Sequence, residues 1–269
     1  MRLLRRRSEE RDATELLDAA AERADDGAAA DALRLLERAR ATAKRNGDRE
    51  AELVALLEIA ALENDEGRFA RAEQAARSAL CLDPESDDAR EELCEALYRQ
   101  GRFLVLQKEL TTWTSEGDAP AWAWHRLGRT EQWLGDPAAA RVAFRRAHDL
   151  EPHTWPVPVR IAAPEFDRIA GRALAEVPPG FRARLGNLLI VAEALPDFDE
   201  VTDGQDPDIL GVYEGGTALD EEGDGRIVLY QLNHEVVCGS LGELIEEVRR
   251  TVLHEIGHHF GMDDHELPY

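Results

Sequence analysis

Residues 254–264 of the 269-residue chain read HEIGHHFGMDD. His254 and His258 are four positions apart, so on an α-helix their side chains stand one turn apart on the same face. Two imidazole nitrogens in that arrangement can converge on one metal ion. Glu255 can reach a water molecule at the metal without being a ligand, which is the position of a general base.

Two imidazoles do not complete a catalytic zinc site, which usually has three protein ligands and one open position. Gly261 can end the helix in a left-handed turn, and the reversed chain would then bring Asp264 to the metal. The pattern HExxHxxGxxD is the long zinc motif of metzincins, with Asp where His is commoner. We therefore predict a Zn²⁺ site at His254, His258 and Asp264. Four other residues stay open as the third ligand: Asp263, His265, His259 and His234.

The helix that carries the motif has a clear beginning. Ser240 and Glu243 form a capping box, so the helix is predicted to run from about 241 to 260. Apolar residues at three-to-four spacing mark its predicted core face. They are Leu241, Leu244, Ile245, Val248, Val252, Ile256 and Phe260.

Short apolar runs precede this helix, each bounded by Gly, Pro or Asp clusters. They predict strands over 187–192, 209–213 and 226–232, after a helix over about 164–175. Where a strand borders the cleft, its exposed edge could pair with an extended peptide, and 226–232 is the predicted strand for that role.

Residues about 160–269 resemble the short bacterial zincin-like metallopeptidase family. The resemblance rests on RALAEVPPGFRARLGNLLIVAEALP, LGVYEGG, RIVLYQ and TVLHEIGHHFGMDD. It implies a compact α+β zincin with zinc on His254 and His258, an aspartate of the 263–264 pair as further ligand and Glu255 as base. Tyr213 and Tyr230 match family positions. A phenol near zinc could stabilise an oxyanion, but we expect both tyrosines to be packed strand aromatics.

The first 154 residues show a different pattern. In steps of about 34 residues they fall into tetratricopeptide register, the sign of a helical-repeat array. The three repeats are 53–86, 87–120 and 121–154, with a further helix pair over about 13–46. The last repeat keeps the most consensus residues: Trp124, Leu127, Gly128, Ala140, Phe144, Ala147 and Pro152.

Together these patterns predict a multidomain chain. An all-α tetratricopeptide helical-repeat array over 1–154 is followed by a small α+β zincin-like metallopeptidase domain over 155–269. The boundary is expected near 153–164, because Pro152, Pro156, Pro158 and Pro164 interrupt helix formation there.

Composition limits the partners and the compartment. A net charge of −23 repels nucleic-acid phosphates, so DNA or RNA binding is not expected. No apolar run approaches membrane-spanning length. The three cysteines are odd in number and scattered, which favours reduced thiols and a cytoplasmic protein.

The favoured function is a zinc-dependent peptidase whose repeat array recruits or orients a protein partner. The alternative is a tetratricopeptide adaptor whose zinc module is structural or catalytically idle. A further hypothesis makes the array an intramolecular regulator of the cleft. Glu255 favours the peptidase, because a purely structural metal site has no use for a general base.

Overall fold

A computed structural model describes residues 12–177, 182, 185, 188–215 and 225–262. The chain divides into two compact units, residues 1–109 and residues 110–269. In the described part of the chain, no helix combines the length and the apolar character that a bilayer crossing needs.

Residues 13–150 form the predicted all-α array of antiparallel helix pairs. In chain order the helices are α1 (Ala13–Asp25), α2 (Ala29–Asn46), α3 (Arg49–Asp65), α4 (Phe69–Leu82), α5 (Asp87–Arg99), α6 (Phe103–Glu116), α7 (Ala121–Trp133) and α8 (Pro137–Leu150). The second helices of the three predicted repeats begin at Phe69, Phe103 and Pro137, which are 34 residues apart. The predicted period is therefore confirmed.

Small residues let the paired helices approach closely. Gly128 of α7 faces the Phe144 ring of α8, and a Cβ atom at that position would lie 2.7 Å from the ring. Ala140, Ala143 and Ala147 on α8 are also buried. Large residues occupy the predicted alanine positions of the middle repeat, where Leu106 and Trp113 are both buried.

The C-terminal elements form the predicted α+β arrangement. They are α9 (Ala163–Glu176), β1 (Leu189–Glu193), α10 (Phe198–Thr202), β2 (Gly211–Glu214), β3 (Arg226–Tyr230), α11 (Gln231–Val236) and α12 (Leu241–His259). The sheet has the order β1-β3-β2. Strand β3 pairs parallel with β1, Val191 opposite Val228, and antiparallel with β2, Val212 opposite Val228.

The third predicted strand is shorter than expected. It ends at Tyr230, because residues 231–236 turn into α11. The Gln231 side chain donates to the Ile161 carbonyl at 3.0 Å and to Glu235 Oε1 at 2.7 Å. The Ile161 contact ties the first turn of α11 to the segment before α9.

Helices α9 and α12 share one apolar core with the sheet. On α12 its buried members include Leu244, Val248 and Val252, which pack in one cluster with Phe166, Ile169, Ile227 and Leu229. Two predicted core positions are wrong: Leu241 is 43% exposed and Ile245 is 39% exposed. Both lie in the first turns of α12, on the flank of the stripe that packs against the sheet.

The helix pair α7–α8 lies in the second unit with the sheet. The proline-containing segment after α8 packs against other residues of this unit. His125 stacks on Trp155 with ring centroids 4.2 Å apart, and the Val159 amide donates to the Cys238 carbonyl at 2.9 Å. Val236 forms an apolar cluster with Ala140 and Phe144 of α8. The domain boundary after residue 154 stays a prediction.

Candidate metal centre

Helix α12 brings the two motif histidines together as their spacing predicts. The Nε2 atoms of His254 and His258 lie 3.1 Å apart. Two nitrogens bound at about 2.0–2.1 Å to one tetrahedral zinc ion would be about 3.3–3.4 Å apart. The pair therefore fits a single divalent ion with little adjustment.

A hydrogen bond fixes which nitrogen of His258 can bind a metal. Its Nδ1 atom lies 3.1 Å from the Met262 carbonyl oxygen. Because a carbonyl only accepts, Nδ1 must carry the proton, which leaves a lone pair on Nε2. An outer hydrogen bond of this kind is usual for metal-binding histidines.

The helix ends where the sequence predicts. Gly261 has a φ of 77°, and the Met262 amide turns back to the Gly257 carbonyl at 3.1 Å. The predicted ligand Asp264 and the alternatives Asp263 and His265 lie outside the described residues. Within the described ranges, no three His, Cys, Asp or Glu side chains form a group that could hold a metal.

Glu255 is positioned beside the two histidines. It is 6% exposed and lines the same cleft as His254 and His258. The volume of this cleft is about 520 Å³. A carboxylate shielded from bulk water, in the same cleft as two converging imidazoles, is suited to proton transfer.

Strand β2 forms the other wall of this cleft. Its residues Gly211, Val212 and Tyr213 line the cleft together with α12. Glycine is needed at 211, because a Cβ atom there would lie 2.9 Å from Thr251 Cγ2 and 3.0 Å from the Val228 carbonyl oxygen.

The strand predicted to offer its edge to a peptide was the wrong one. Strand β3 (Arg226–Tyr230) is the central strand and is paired on both sides. Among the described residues, β2 is the edge strand that borders the cleft. Four of the five residues of β3 are buried, as expected of a central strand that is covered on both faces.

The two family tyrosines have different surroundings. Tyr213 lines the cleft, and its Oη lies 2.8 Å from Nδ1 of His259. Tyr230 is 2% exposed, and burial raises the pKa of its phenol to about 12. Packing thus accounts for Tyr230, whereas Tyr213 joins the cleft wall to α12.

His259 and His234 are both held in buried hydrogen bonds. His259 is 2% exposed and contacts Tyr213. His234 is fully buried, with Nδ1 2.9 Å from the Tyr230 carbonyl and Nε2 3.1 Å from Thr251 Oγ1. Burial lowers the pKa of His234 to about 4, so the ring is neutral. With both ring nitrogens engaged, His234 offers no free lone pair in this structure, and the identity of the third ligand stays a prediction.

Two charged residues of the cleft were missed by the sequence reasoning. Glu247 and Arg250 line it, and Arg250 Nη1 lies 2.8 Å from Glu247 Oε2. Counting back from His254 in steps of three to four residues reaches both positions. The helical period that identified the ligand pair could therefore have found them.

A helix with a His-Glu-x-x-His motif facing an edge strand across a cleft defines the zincin class of metal-binding domain. The family model of zincin-like metallopeptidases matches residues 185–269, and a tetratricopeptide-repeat model matches residues 64–103. The chain thus carries a zincin-like domain behind a repeat region. A zincin-like domain suggests a metallopeptidase, and tetratricopeptide repeats suggest protein interaction.

Two solved structures are similar to part of the chain. MamA 41-end from Desulfovibrio magneticus RS-1 is 20% identical with a TM-score of 0.46, over 52% of this chain and 76% of that chain. The MamA RS-1 ArsTM double mutant is 17% identical with a TM-score of 0.46, over 64% of this chain and 88% of that chain. No curated protein matches the chain.

Proposed function

We propose that the zincin-like domain is a zinc-dependent peptidase with Glu255 as its general base. The observation that carries the proposal is the convergence of the His254 and His258 Nε2 atoms in a cleft that Glu255 also lines. Asp264 is the proposed third ligand.

The donor set suits zinc. Two neutral imidazoles and one carboxylate are common ligands of catalytic zinc, with one position left for water. When bound, zinc supplies a Lewis acid that polarises a peptide carbonyl and lowers the pKa of a water molecule.

Glu255 moves the protons of the reaction. Its carboxylate oxygen accepts a proton from a water molecule in the cleft as the water oxygen attacks the carbonyl carbon. The resulting carboxylic acid then gives that proton to the leaving nitrogen while the C–N bond breaks. The products are an amine and a carboxylic acid.

The proposed substrate is an extended peptide bound along β2. Strand β2 is an edge strand of the described sheet and runs along the cleft. A peptide that adds to β2 as a further strand gains backbone hydrogen bonds, which bind without demanding one sequence. Its scissile bond would then face Glu255 on α12.

The repeat array is proposed to recruit or orient a protein partner. Helices α3 and α5 line a groove of about 380 Å³. Its wall includes the apolar Val54 and Leu57 and the carboxylates of Glu58 and Asp88. Charge reversal by Glu58→Lys should weaken cleavage of a recruited protein and leave cleavage of a short peptide unchanged.

The decisive experiment compares cleavage of a peptide library by wild type, Glu255→Gln and Glu246→Gln, read by mass spectrometry. Glu246 lies on the same helix, and its side chain is 62% exposed, so it is the matched control. Glu255→Gln should keep its zinc and lose about 10²–10⁴-fold in rate, whereas Glu246→Gln should match wild type.

Unchanged cleavage by Glu255→Gln would refute the proposed mechanism. Zinc-loaded wild type that cleaves no peptide would favour the adaptor.

A further inference from the structure

Helix α7 of the last repeat carries an arginine that is buried in a polar contact with the zincin-like domain. Arg129 is 3% exposed. Its Nε atom donates to Asp208 Oδ1 at 3.1 Å, and its Nη2 atom donates to Asn233 Oδ1 at 2.7 Å. Gln132 accepts from Nη1 at 3.1 Å. One guanidinium therefore joins α7 to two separate segments of the domain.

Asn233 continues this network into the loop before β2. It is 1% exposed, and its Nδ2 atom donates to the Pro207 carbonyl at 3.0 Å and to the Ile209 carbonyl at 2.6 Å. The loop is thus held through the Asp208 carboxylate by Arg129 and through two carbonyls by Asn233.

The loop leads directly into the wall of the cleft. Ile209 and Leu210 line the same cleft as Glu255. The Leu210 carbonyl accepts from the Tyr230 amide at 2.8 Å, and β2 begins at the next residue. A shift of residues 206–210 would therefore move the edge strand along which a substrate peptide is proposed to lie.

We infer that Arg129 is a positioning residue for the β2 wall of the cleft, so that the last repeat is part of the peptidase site itself. This inference rests on the proposed peptidase function for its kinetic consequence, but its structural consequence is separate. The last repeat then does more than recruit a partner.

Arginine is suited to this role by its shape. Its planar fork presents donors in fixed directions, so one side chain can hold Asp208, Asn233 and Gln132 at once. A lysine ammonium on a flexible stem cannot reproduce these directions. Placing the arginine on a helix gives the loop a rigid anchor.

Hydrogen exchange on the full chain tests the structural part. Arg129→Ala should speed exchange in residues 206–214 by about tenfold or more, while α12 changes little, because the opening is local. Asp208→Asn is the milder variant, since it removes the charge but keeps an acceptor, and it serves if Arg129→Ala does not fold. Arg168→Ala, at an exposed arginine of α9, should match wild type. Unchanged or uniform exchange would overturn the inference.

Kinetics then separate positioning from general destabilisation. Arg129→Ala should raise KM by about fivefold or more with kcat within about twofold and zinc content unchanged, because the lost contact supports peptide binding. Arg129→Lys should fall between Arg129→Ala and wild type. A parallel fall of kcat, zinc content and melting temperature would mean a structural role only, against the inference.

The two proposals fail in different ways. Local exchange in 206–214 without any Glu255-dependent cleavage refutes the peptidase but keeps the anchoring role of Arg129. Glu255-dependent cleavage with hydrogen exchange unaffected by Arg129→Ala keeps the peptidase proposal and refutes the anchoring role of Arg129.

Discussion

The phenolic oxygen of Tyr213 lies 2.8 Å from Nδ1 of His259. This contact joins the edge strand of the cleft to the helix that carries the metal motif. His259 thus faces the strand, whereas the preceding residue, His258, turns its Nε2 atom toward His254.

Removing the Tyr213 hydroxyl should weaken this join. Tyr213→Phe is expected to lower the free energy of unfolding by about 1 kcal/mol, the usual net value of such a hydrogen bond, with zinc content unchanged. Urea unfolding measures the loss. Tyr230→Phe is the matched control, since no hydrogen bond of the Tyr230 hydroxyl is found among the described residues, and an equal loss there would contradict the prediction.

Replacing the proposed third ligand should release the metal. Asp264→Ala is expected to reduce zinc from one ion per chain to a small fraction, because two imidazoles alone hold zinc weakly. Elemental analysis of protein purified without a metal-affinity tag gives the stoichiometry, with Asp263→Ala as the neighbouring control. Zinc lost in Asp263→Ala and kept in Asp264→Ala would move the ligand by one residue.

Two helical glycines should respond oppositely to alanine. Gly128→Ala places a Cβ atom 2.7 Å from the Phe144 ring, and such overpacking costs about 1–3 kcal/mol. Gly171→Ala on α9 meets nothing within 4 Å, so the better helix propensity of alanine should add up to about 1 kcal/mol. Thermal unfolding distinguishes the two, and a stabilised Gly128→Ala would refute the close helix crossing.

Acidification should destabilise the protein through His234. Burial lowers the pKa of its folded state from 6.5 to about 4, so the unfolded chain binds the proton first as the pH falls below 6.5. The loss of unfolding free energy that His234 causes is small above pH 6.5 and reaches about 2 kcal/mol at pH 5.

The difference between variants isolates this contribution. The fall in unfolding free energy between pH 7.5 and pH 5 should be about 2 kcal/mol smaller in His234→Gln than in wild type. His153→Gln, at an exposed position, should follow wild type. Equal falls in all three proteins would mean that His234 does not stay neutral in the folded state.

Local patterns predicted the elements well. The spacing of His254 and His258 predicted one helix face, and the alanine-rich 34-residue period predicted the helix pairs. Both signals depend only on neighbours within a few turns of the chain. The strand at 226–232 was identified but placed at the wrong position in the sheet, because strand order depends on pairing between distant segments.

Longer-range contacts could not be predicted. Arg129 and Asn233 are 104 positions apart, and an arginine on an amphipathic helix ordinarily indicates a solvent-facing side chain. The hydrogen bonds of His234 to the Tyr230 carbonyl and to Thr251 likewise join segments whose contact the sequence does not reveal. Asp264 remains a prediction from the motif alone.

Repeat arrays usually tolerate the gain or loss of a unit, since each unit contacts only its neighbours. The buried guanidinium of α7 removes that freedom from the final unit. Replacing the final unit by a generic consensus repeat would remove Arg129, which holds the loop at 206–210. Changes in the number of repeats, engineered or natural, should therefore be confined to units upstream of α7.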